Sequence, residues 1–260
     1  MKTAVISGGN GGLGRALAAQ LEAQGWHCVL MDIDIRGLET SPSRTPVAID
    51  LTDAVALTRA AAQITAARPS IDMVIYNAGV SQIGMFAQAD MPSHRRVFEI
   101  NYFAAVAMAQ AFLGPLRDSQ GTHLAISSVA GFAPLHGRTA YAASKHALQG
   151  FFTSLRSEEA AYGVRCLIAA PSFVATNIGN PEITDDGIVR PGSAADGIDY
   201  MSPQAAASVI LSGVEKGREF IPVGRVARLA ALIMRASPGL YQRLMRRNIA
   251  AQKPTPDTGS

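Results

Sequence analysis

The chain of 260 residues carries 23 Lys and Arg against 20 Asp and Glu, with 48 % hydrophobic and 17 % charged residues, which excludes a disordered or collagen-like chain and suits one sizeable core. Two cysteines, Cys28 and Cys166, are too few for a disulfide framework; together with a start that lacks a signal-peptide layout, this leads us to expect a reducing cytoplasm, and no apolar run reaches the roughly 18–20 residues of a bilayer span. The net charge of +3 is unevenly spread, because residues 1–219 hold 16 basic and 19 acidic side chains and residues 220–260 hold seven and one, so a uniformly basic nucleic-acid surface is not indicated.

A first strand is expected over 3–7, followed by Ser7-Gly8-Gly9-Asn10-Gly11-Gly12-Leu13-Gly14 and a helix over 12–24. Glycines in such a turn permit positive φ and let backbone amides approach a pyrophosphate. The helix N-terminus adds unpaired N–H groups and the positive end of its dipole. A lone glycine-rich turn says little, but one lying between a strand and a helix points to a dinucleotide. The second strand, 28–32, ends on Asp32, 18 residues after Gly14, the spacing of an acid that binds ribose hydroxyls. Such a carboxylate accepts from both hydroxyls of NAD and repels the 2′-phosphate of NADP. Neither Gly11 nor Ile33 offers a basic side chain to offset that, and Arg36 reads as a solvated residue, so NAD is favoured over NADP.

Strands are expected next over 47–50, 73–76, 123–127, 164–169 and 220–223, with helices over 54–67, 94–116 and 141–160. Alternation of short apolar runs with helix-length patterns implies crossover connections, hence an α/β fold of the Rossmann type. Its sheet should be doubly wound, parallel and about seven-stranded, with helices on both faces. The stretch 177–202 is glycine- and proline-rich, a lid or surface slack.

In Tyr-Ala-Ala-Ser-Lys, Tyr141 and Lys145 are four residues apart on a helical stretch, which puts both on one face. A phenol with a pKa near 10 is a poor base at neutral pH, and an adjacent ammonium stabilises its phenolate. That pair alone would also describe a buried tyrosine beside a surface lysine. Ser128, at the end of strand 123–127, stands at the carboxyl edge of the sheet where open α/β folds bind ligands; Ser127 competes with it, and chain spacing favours Ser128.

With these residues in order, the chain resembles the short-chain dehydrogenase/reductase family over roughly residues 3–223. The glycine turn matches T-G-x-x-x-G-x-G, Asp50 in Asp50-Leu51-Thr52-Asp53 matches the adenine-side acid, and Tyr76-Asn77-Ala78-Gly79 matches N-N-A-G. Asn101 matches the helix asparagine, Ser128 the serine 13 residues before the tyrosine, and Pro171 to Thr176, through Val174, the P-G-x-x-x-T segment. Three departures are Ser7 for threonine, Tyr76 for the first asparagine and Ser172 for glycine. The resemblance implies that Tyr141 exchanges the substrate proton, Ser128 holds the substrate oxygen, and Lys145 holds the nicotinamide ribose. It further implies that Asn101 anchors a water chain and that Val174 and Thr176 hold the carboxamide. The expected cofactor-binding set is Gly8, Asn10, Gly11, Gly12, Leu13, Gly14, Asp32, Ile33, Asp50, Leu51, Asn77, Ala78, Gly79, Tyr141, Lys145, Pro171, Val174 and Thr176, with no metal. A homodimer or homotetramer, through helices 94–116 and 141–160, is likewise what the resemblance implies.

The expected function is an NAD(H)-dependent oxidoreductase interconverting a secondary alcohol and a ketone. The alternatives are an NAD-binding regulatory or scaffold protein, and a lyase or epimerase on the same fold. Walls expected from 80–82, 130–135 and the 177–202 loop, including Ile178, Ile183 and Ile188, read as apolar and uncharged, favouring a hydrophobic substrate. Residues 1–223, loop included, form the expected dehydrogenase domain, and 224–260 a basic amphipathic extension ending in a disordered QKPTPDTGS tail. That extension can cap the pocket, make an oligomer contact or touch an anionic membrane weakly.

Overall fold

The computed structural model describes residues 1–175, 188–189 and 200–251; Thr176, most of the 177–202 loop with Ile178 and Ile183, and the QKPTPDTGS tail lie outside them. In chain order the elements are β1 (Thr3–Ser7), α1 (Gly12–Ala23), β2 (His27–Asp32), β3 (Arg44–Ala48), α2 (Ala54–Ala67), β4 (Met73–Tyr76) and the two-residue β5 (Ser81–Gln82). There follow α3 (Met91–Phe98), a π-helical turn at Glu99–Phe103, α4 (Ala104–Ala111), α5 (Leu113–Ser119), β6 (Thr122–Ile126), α6 (Thr139–Glu159) and β7 (Arg165–Pro171). The chain continues through β8 (Ile188–Val189), α7 (Pro203–Glu215), β9 (Phe220–Val223), α8 (Arg225–Ala236) and α9 (Pro238–Ala251).

Seven strands pair in parallel in the order β3-β2-β1-β4-β6-β7-β9. The order reverses between β1 and β4, and that switch point opens a crevice at the carboxyl edge. Residues alternate between two cores, as a period of two requires. Ala4 and Ile6, Met73 and Ile75, and Leu124 and Ile126 join α1 and α7 on one face; Val5, Val74, Tyr76 and Ala125 join α2, α4 and α6 on the other. Covering both faces makes the strands continuous apolar runs in sequence. The edge strand β3 sits three residues earlier than the sequence suggests, is only half-buried, and carries Pro46, which an edge tolerates because no ladder depends on its missing N–H.

The expected helix over 94–116 is interrupted twice. A π-turn widens it around Asn101, and Phe112, at φ −105° and ψ 9°, breaks it again before α5. Tyr76, which departs from the family motif, turns away from the crevice into the second core, where its hydroxyl lies 2.6 Å from Nδ1 of His123. Burial pushes the His123 pKa down to about 4 and those of Cys28 and Cys166 up to about 12. In the extension, α8 buries Ala227 and Ala230 and leaves Leu229 and Leu232 exposed, while α9 exposes Leu240 and Leu244. Among the described residues no single helix is long and apolar enough to cross a membrane.

Candidate active site

The crevice encloses about 580 Å³ along the carboxyl edge, from the glycine turn to the start of α6. At one end, Gly8 has φ +62°, and a Cβ there would lie 2.9 Å from Cα of Ala78; a Cβ on Gly14 would lie 2.3 Å from the Gly8 carbonyl oxygen. Only hydrogen fits at either position, so α1 starts hard against the turn. Gly11, the N-cap of α1, has no side-chain cap, and Gly11, Gly12 and Leu13 line the crevice. An uncapped helix start of this kind leaves amide N–H groups for an anion.

The strand ends are stitched by short polar contacts. The Ser7 hydroxyl donates to the Ile75 carbonyl and accepts from the Asn77 and Ala78 amides at 3.0 and 3.1 Å, so serine does here what threonine would. Asn77 donates through Nδ2 to the Ser7 and Gly8 carbonyls. At the end of β2, Oδ2 of Asp32 accepts from the Asn10 amide at 2.9 Å, which aims the carboxylate at the crevice it lines. Ile33 is 68 % exposed at the rim. Arg36 grips Asp34 at 2.7 Å with its side chain 91 % exposed. Asp50, whose Oδ1 accepts from Thr52, and Leu51 complete this end.

At the other end, α6 presents Tyr141 and Lys145 on one face, both buried and both lining the crevice. Nζ of Lys145 donates to the Ile126 carbonyl of β6 at 2.9 Å and lies 5.9 Å from the Tyr141 ring centroid. Burial draws the Lys145 pKa down to about 8. Ser128 stands just past β6 on the same wall, its hydroxyl accepting from the Ala130 amide at 3.1 Å. Ser127 also reaches the wall, buried and with no hydrogen-bond partner for its hydroxyl among the described residues.

Asn101 does not line the crevice. Its Oδ1 accepts from the Val80 amide at 2.8 Å, and its Nδ2 donates to the Val80 carbonyl and the Ser144 hydroxyl, both at 2.9 Å. Ser144 in turn donates to the Tyr141 carbonyl at 2.8 Å. The π-turn places this amide, and the relay ties the Tyr141 turn to the strand end after Gly79. Asn101 thus braces the Tyr141 turn from outside the lining, and Gly14 packs against Gly8 behind the wall. The other expected residues within the described range (Gly8, Asn10, Asn77, Ala78, Gly79, Pro171 and Val174 among them) line the crevice.

Ser81, inside the expected 80–82 wall, lines the crevice; sequence reasoning missed Ser144, Arg96, Ile100 and Arg138, of which all but Ser144 line the wall. Arg96 and Arg138, outside the segments expected to be uncharged, thus add basic residues to the lining. Of its expected apolar members, Val80 and Leu135 are present, while Ile188 is buried in a small separate cluster with Val97 and Ala140.

A family model described as short chain dehydrogenase matches residues 2–187. The chain belongs to the short-chain dehydrogenase family. It is thus an oxidoreductase of that family, with the family's NAD(P)-binding fold. Dehydrogenase/reductase SDR family member 7B of Bos taurus is 34 % identical over 260 residues, spanning 93 % of this chain and 79 % of that protein. A short-chain dehydrogenase from Burkholderia cenocepacia J2315, solved in complex with NADP, has a TM-score of 0.78 at 23 % identity, covering 94 % of this chain and 96 % of that one. 4-Hydroxyisoleucine dehydrogenase, solved with NADH, has a TM-score of 0.68 at 23 % identity, covering 84 % and 93 %. At these identities the two structures speak to the fold alone.

Proposed function

We propose that this short-chain dehydrogenase interconverts a secondary alcohol and a ketone with NAD(H), using Tyr141 as the general acid and base. The observation that carries the reading is the placement of Tyr141, Lys145 and Ser128 on one wall of the crevice whose far end is the glycine turn. The residues fit a dinucleotide: Gly8, Gly9 and Gly14 leave no room for a Cβ at the turn, α1 begins uncapped, and a buried ammonium waits at the opposite end. The glycine turn and the α1 start would hold the pyrophosphate, and Lys145 the nicotinamide ribose. When bound, the cofactor supplies the hydride acceptor or donor.

The chain's own groups do the rest. Ser128 holds the substrate oxygen and stabilises charge developing on it. Tyr141 removes the hydroxyl proton in oxidation and returns it in reduction. The Lys145 ammonium favours the phenolate, and Ile126 fixes its nitrogen in place. Val80, Ile100, Leu135 and Phe173 exclude water around the reacting carbon. The Asp32 carboxylate supports the preference for NAD. The Burkholderia structure holds NADP and 4-hydroxyisoleucine dehydrogenase holds NADH, so neighbours of this fold take either, and we assign the choice here to Asp32. Exposed Phe103 supports a homo-oligomer, which light scattering tests.

The test is NADH or NADPH absorbance over a panel of alcohols and ketones. Turnover with NAD(H) that falls at least about 100-fold in Tyr141→Phe is the expected result. Turnover that survives that substitution overturns the mechanism. Cofactor binding with no turnover favours a scaffold, and substrate conversion with no net change in NADH favours a lyase or epimerase.

A further inference from the structure

The extension after β9 has no task in the reaction, and its surface is unlike the rest of the chain. No acidic residue occurs between Glu219 and Asp257, while Arg225, Arg228, Arg235, Arg243, Arg246 and Arg247 all fall in that stretch. All six are exposed, and none has an ion-pair or hydrogen-bond partner for its guanidinium among the described residues.

In α8, Ala227 and Ala230 are buried and Met234 is half-buried, at spacings of three and four that mark the inner face. The outer face carries Leu229 and Leu232, 60 % and 68 % exposed. Arg225 lies one turn before Leu229, and Arg228 and Arg235 lie one turn to either side of Leu232. Helix α9 packs on α8 and repeats the arrangement: Tyr241 and Met245 are half-buried, while Leu240 and Leu244 are exposed beside Arg243 and Arg247.

The chemistry of this face selects its partner. Leucines gain free energy by leaving water, and guanidinium forks pair with phosphate oxygens. An anionic bilayer offers both: the leucines enter the acyl boundary, and the arginine stems lie along it with their heads at the phosphates. A second copy fits worse, because twofold pairing through one face would set arginines against arginines. A nucleic acid supplies phosphates but no apolar layer for the leucines.

We propose that the outer face of α8 and α9 docks on an anionic lipid bilayer. The inference does not depend on the reading of Tyr141, but the docking face adjoins the crevice. Helix α8 starts at the carboxyl edge, where a Cβ on Gly224 would lie 2.5 Å from Oγ of the crevice-lining Ser172. It also touches the Val129–Gly131 turn that follows Ser128. Docking therefore holds the crevice beside the bilayer surface.

Co-sedimentation of the full chain with vesicles tests this, using phosphatidylcholine with or without about 30 % phosphatidylglycerol, an anionic surface that attracts basic side chains. The protein should pellet with the anionic vesicles and not with the neutral ones, and raising the salt from about 0.1 M to about 0.5 M should weaken binding severalfold or more. Arg228→Gln combined with Arg235→Gln should lower the partition coefficient about tenfold or more, since each basic group near such a surface is worth roughly fivefold. Leu229→Gln combined with Leu232→Gln should also lower it about tenfold or more, with Tm unchanged because neither side chain belongs to the core. No association with anionic vesicles, equal association with neutral ones, or full retention by either double variant overturns the proposal. A lipid-free oligomer that the two leucine substitutions dissolve also overturns it and gives the face to a second copy. Tighter binding to duplex DNA than to the vesicles at equal phosphate overturns it in favour of a nucleic acid.

Discussion

Lys145 is the residue at which this fold sets stability against chemistry, and replacing it by methionine separates the two. Burial holds the Lys145 ammonium at about 8 against an ordinary 10.5, a gap worth about 3 kcal/mol. Between those values the unfolded chain binds more protons than the folded one, so the wild-type protein gains stability as pH rises from 8 to 10.5, and below 8 it carries the full penalty. Lys145→Met removes the penalty and also the hydrogen bond to Ile126, a charged contact worth about 1.5–3 kcal/mol. The two nearly offset at pH 7, so stabilities there should agree within about 2 kcal/mol. The pH dependence does not cancel. From pH 7 to 10 the wild type should gain about 2 kcal/mol on the variant, roughly 5 °C in Tm. Paired thermal melts across that range, made in a Tyr141→Phe background so that the phenol does not titrate differently in the two proteins, read the difference directly. Melting curves that stay parallel from pH 7 to 10 refute the reasoning, and so does retention of turnover by Lys145→Met.

Further consequences can be measured on single variants. Asp32→Ala should raise kcat/KM for NADP relative to NAD at least about tenfold, because a carboxylate facing a 2′-phosphate opposes it by more than 1 kcal/mol; an unchanged ratio removes Asp32 from cofactor choice. Asn101→Ala strips the partners from both backbone groups of Val80 and should cost about 2–4 kcal/mol in urea unfolding, with kcat falling alongside. Gly131→Ala would bring a methyl group to 2.2 Å from the Ser127 hydroxyl and 3.0 Å from the Lys145 carbonyl, so a loss of about 1–3 kcal/mol is expected from overpacking. His123, with its pKa pushed down to about 4 by burial, binds fewer protons folded than unfolded. Stability should therefore fall as pH drops from 6.5 to 4, and His123→Phe should flatten that limb.

The sheet was legible because both its faces are covered: apolar runs such as Thr3–Ser7, Met73–Tyr76 and Phe220–Val223 match the strands residue for residue. The edge strand β3 was read three residues late because its residues are half-exposed and mixed. The interruption at Asn101 has no periodic signature; it arises from an amide whose partners are Val80, 21 residues back, and Ser144, 43 residues ahead. The two-residue ladder of β5 and β8 is too short to show alternation. The glycine turn, Tyr141, Lys145 and Ser128 were readable because each is a local motif with a spacing. Arg96 and Arg138 were not, because they meet the crevice from separate elements, the last turn of α3 and the start of α6, with no local spacing to mark them.

The attachment of the C-terminal helices sets the order in which the molecule opens. Of the twelve residues of α8 only Ala227 and Ala230 are fully buried, and an alanine side chain contributes little apolar area. Strands β1, β4 and β6 are buried along their whole length. The free energy that holds the extension is thus a small part of that which holds the sheet, and α8 with α9 forms a cooperative unit of its own. Its amides should exchange with deuterium through local opening, long before those of the central strands, which exchange only when the whole sheet unfolds.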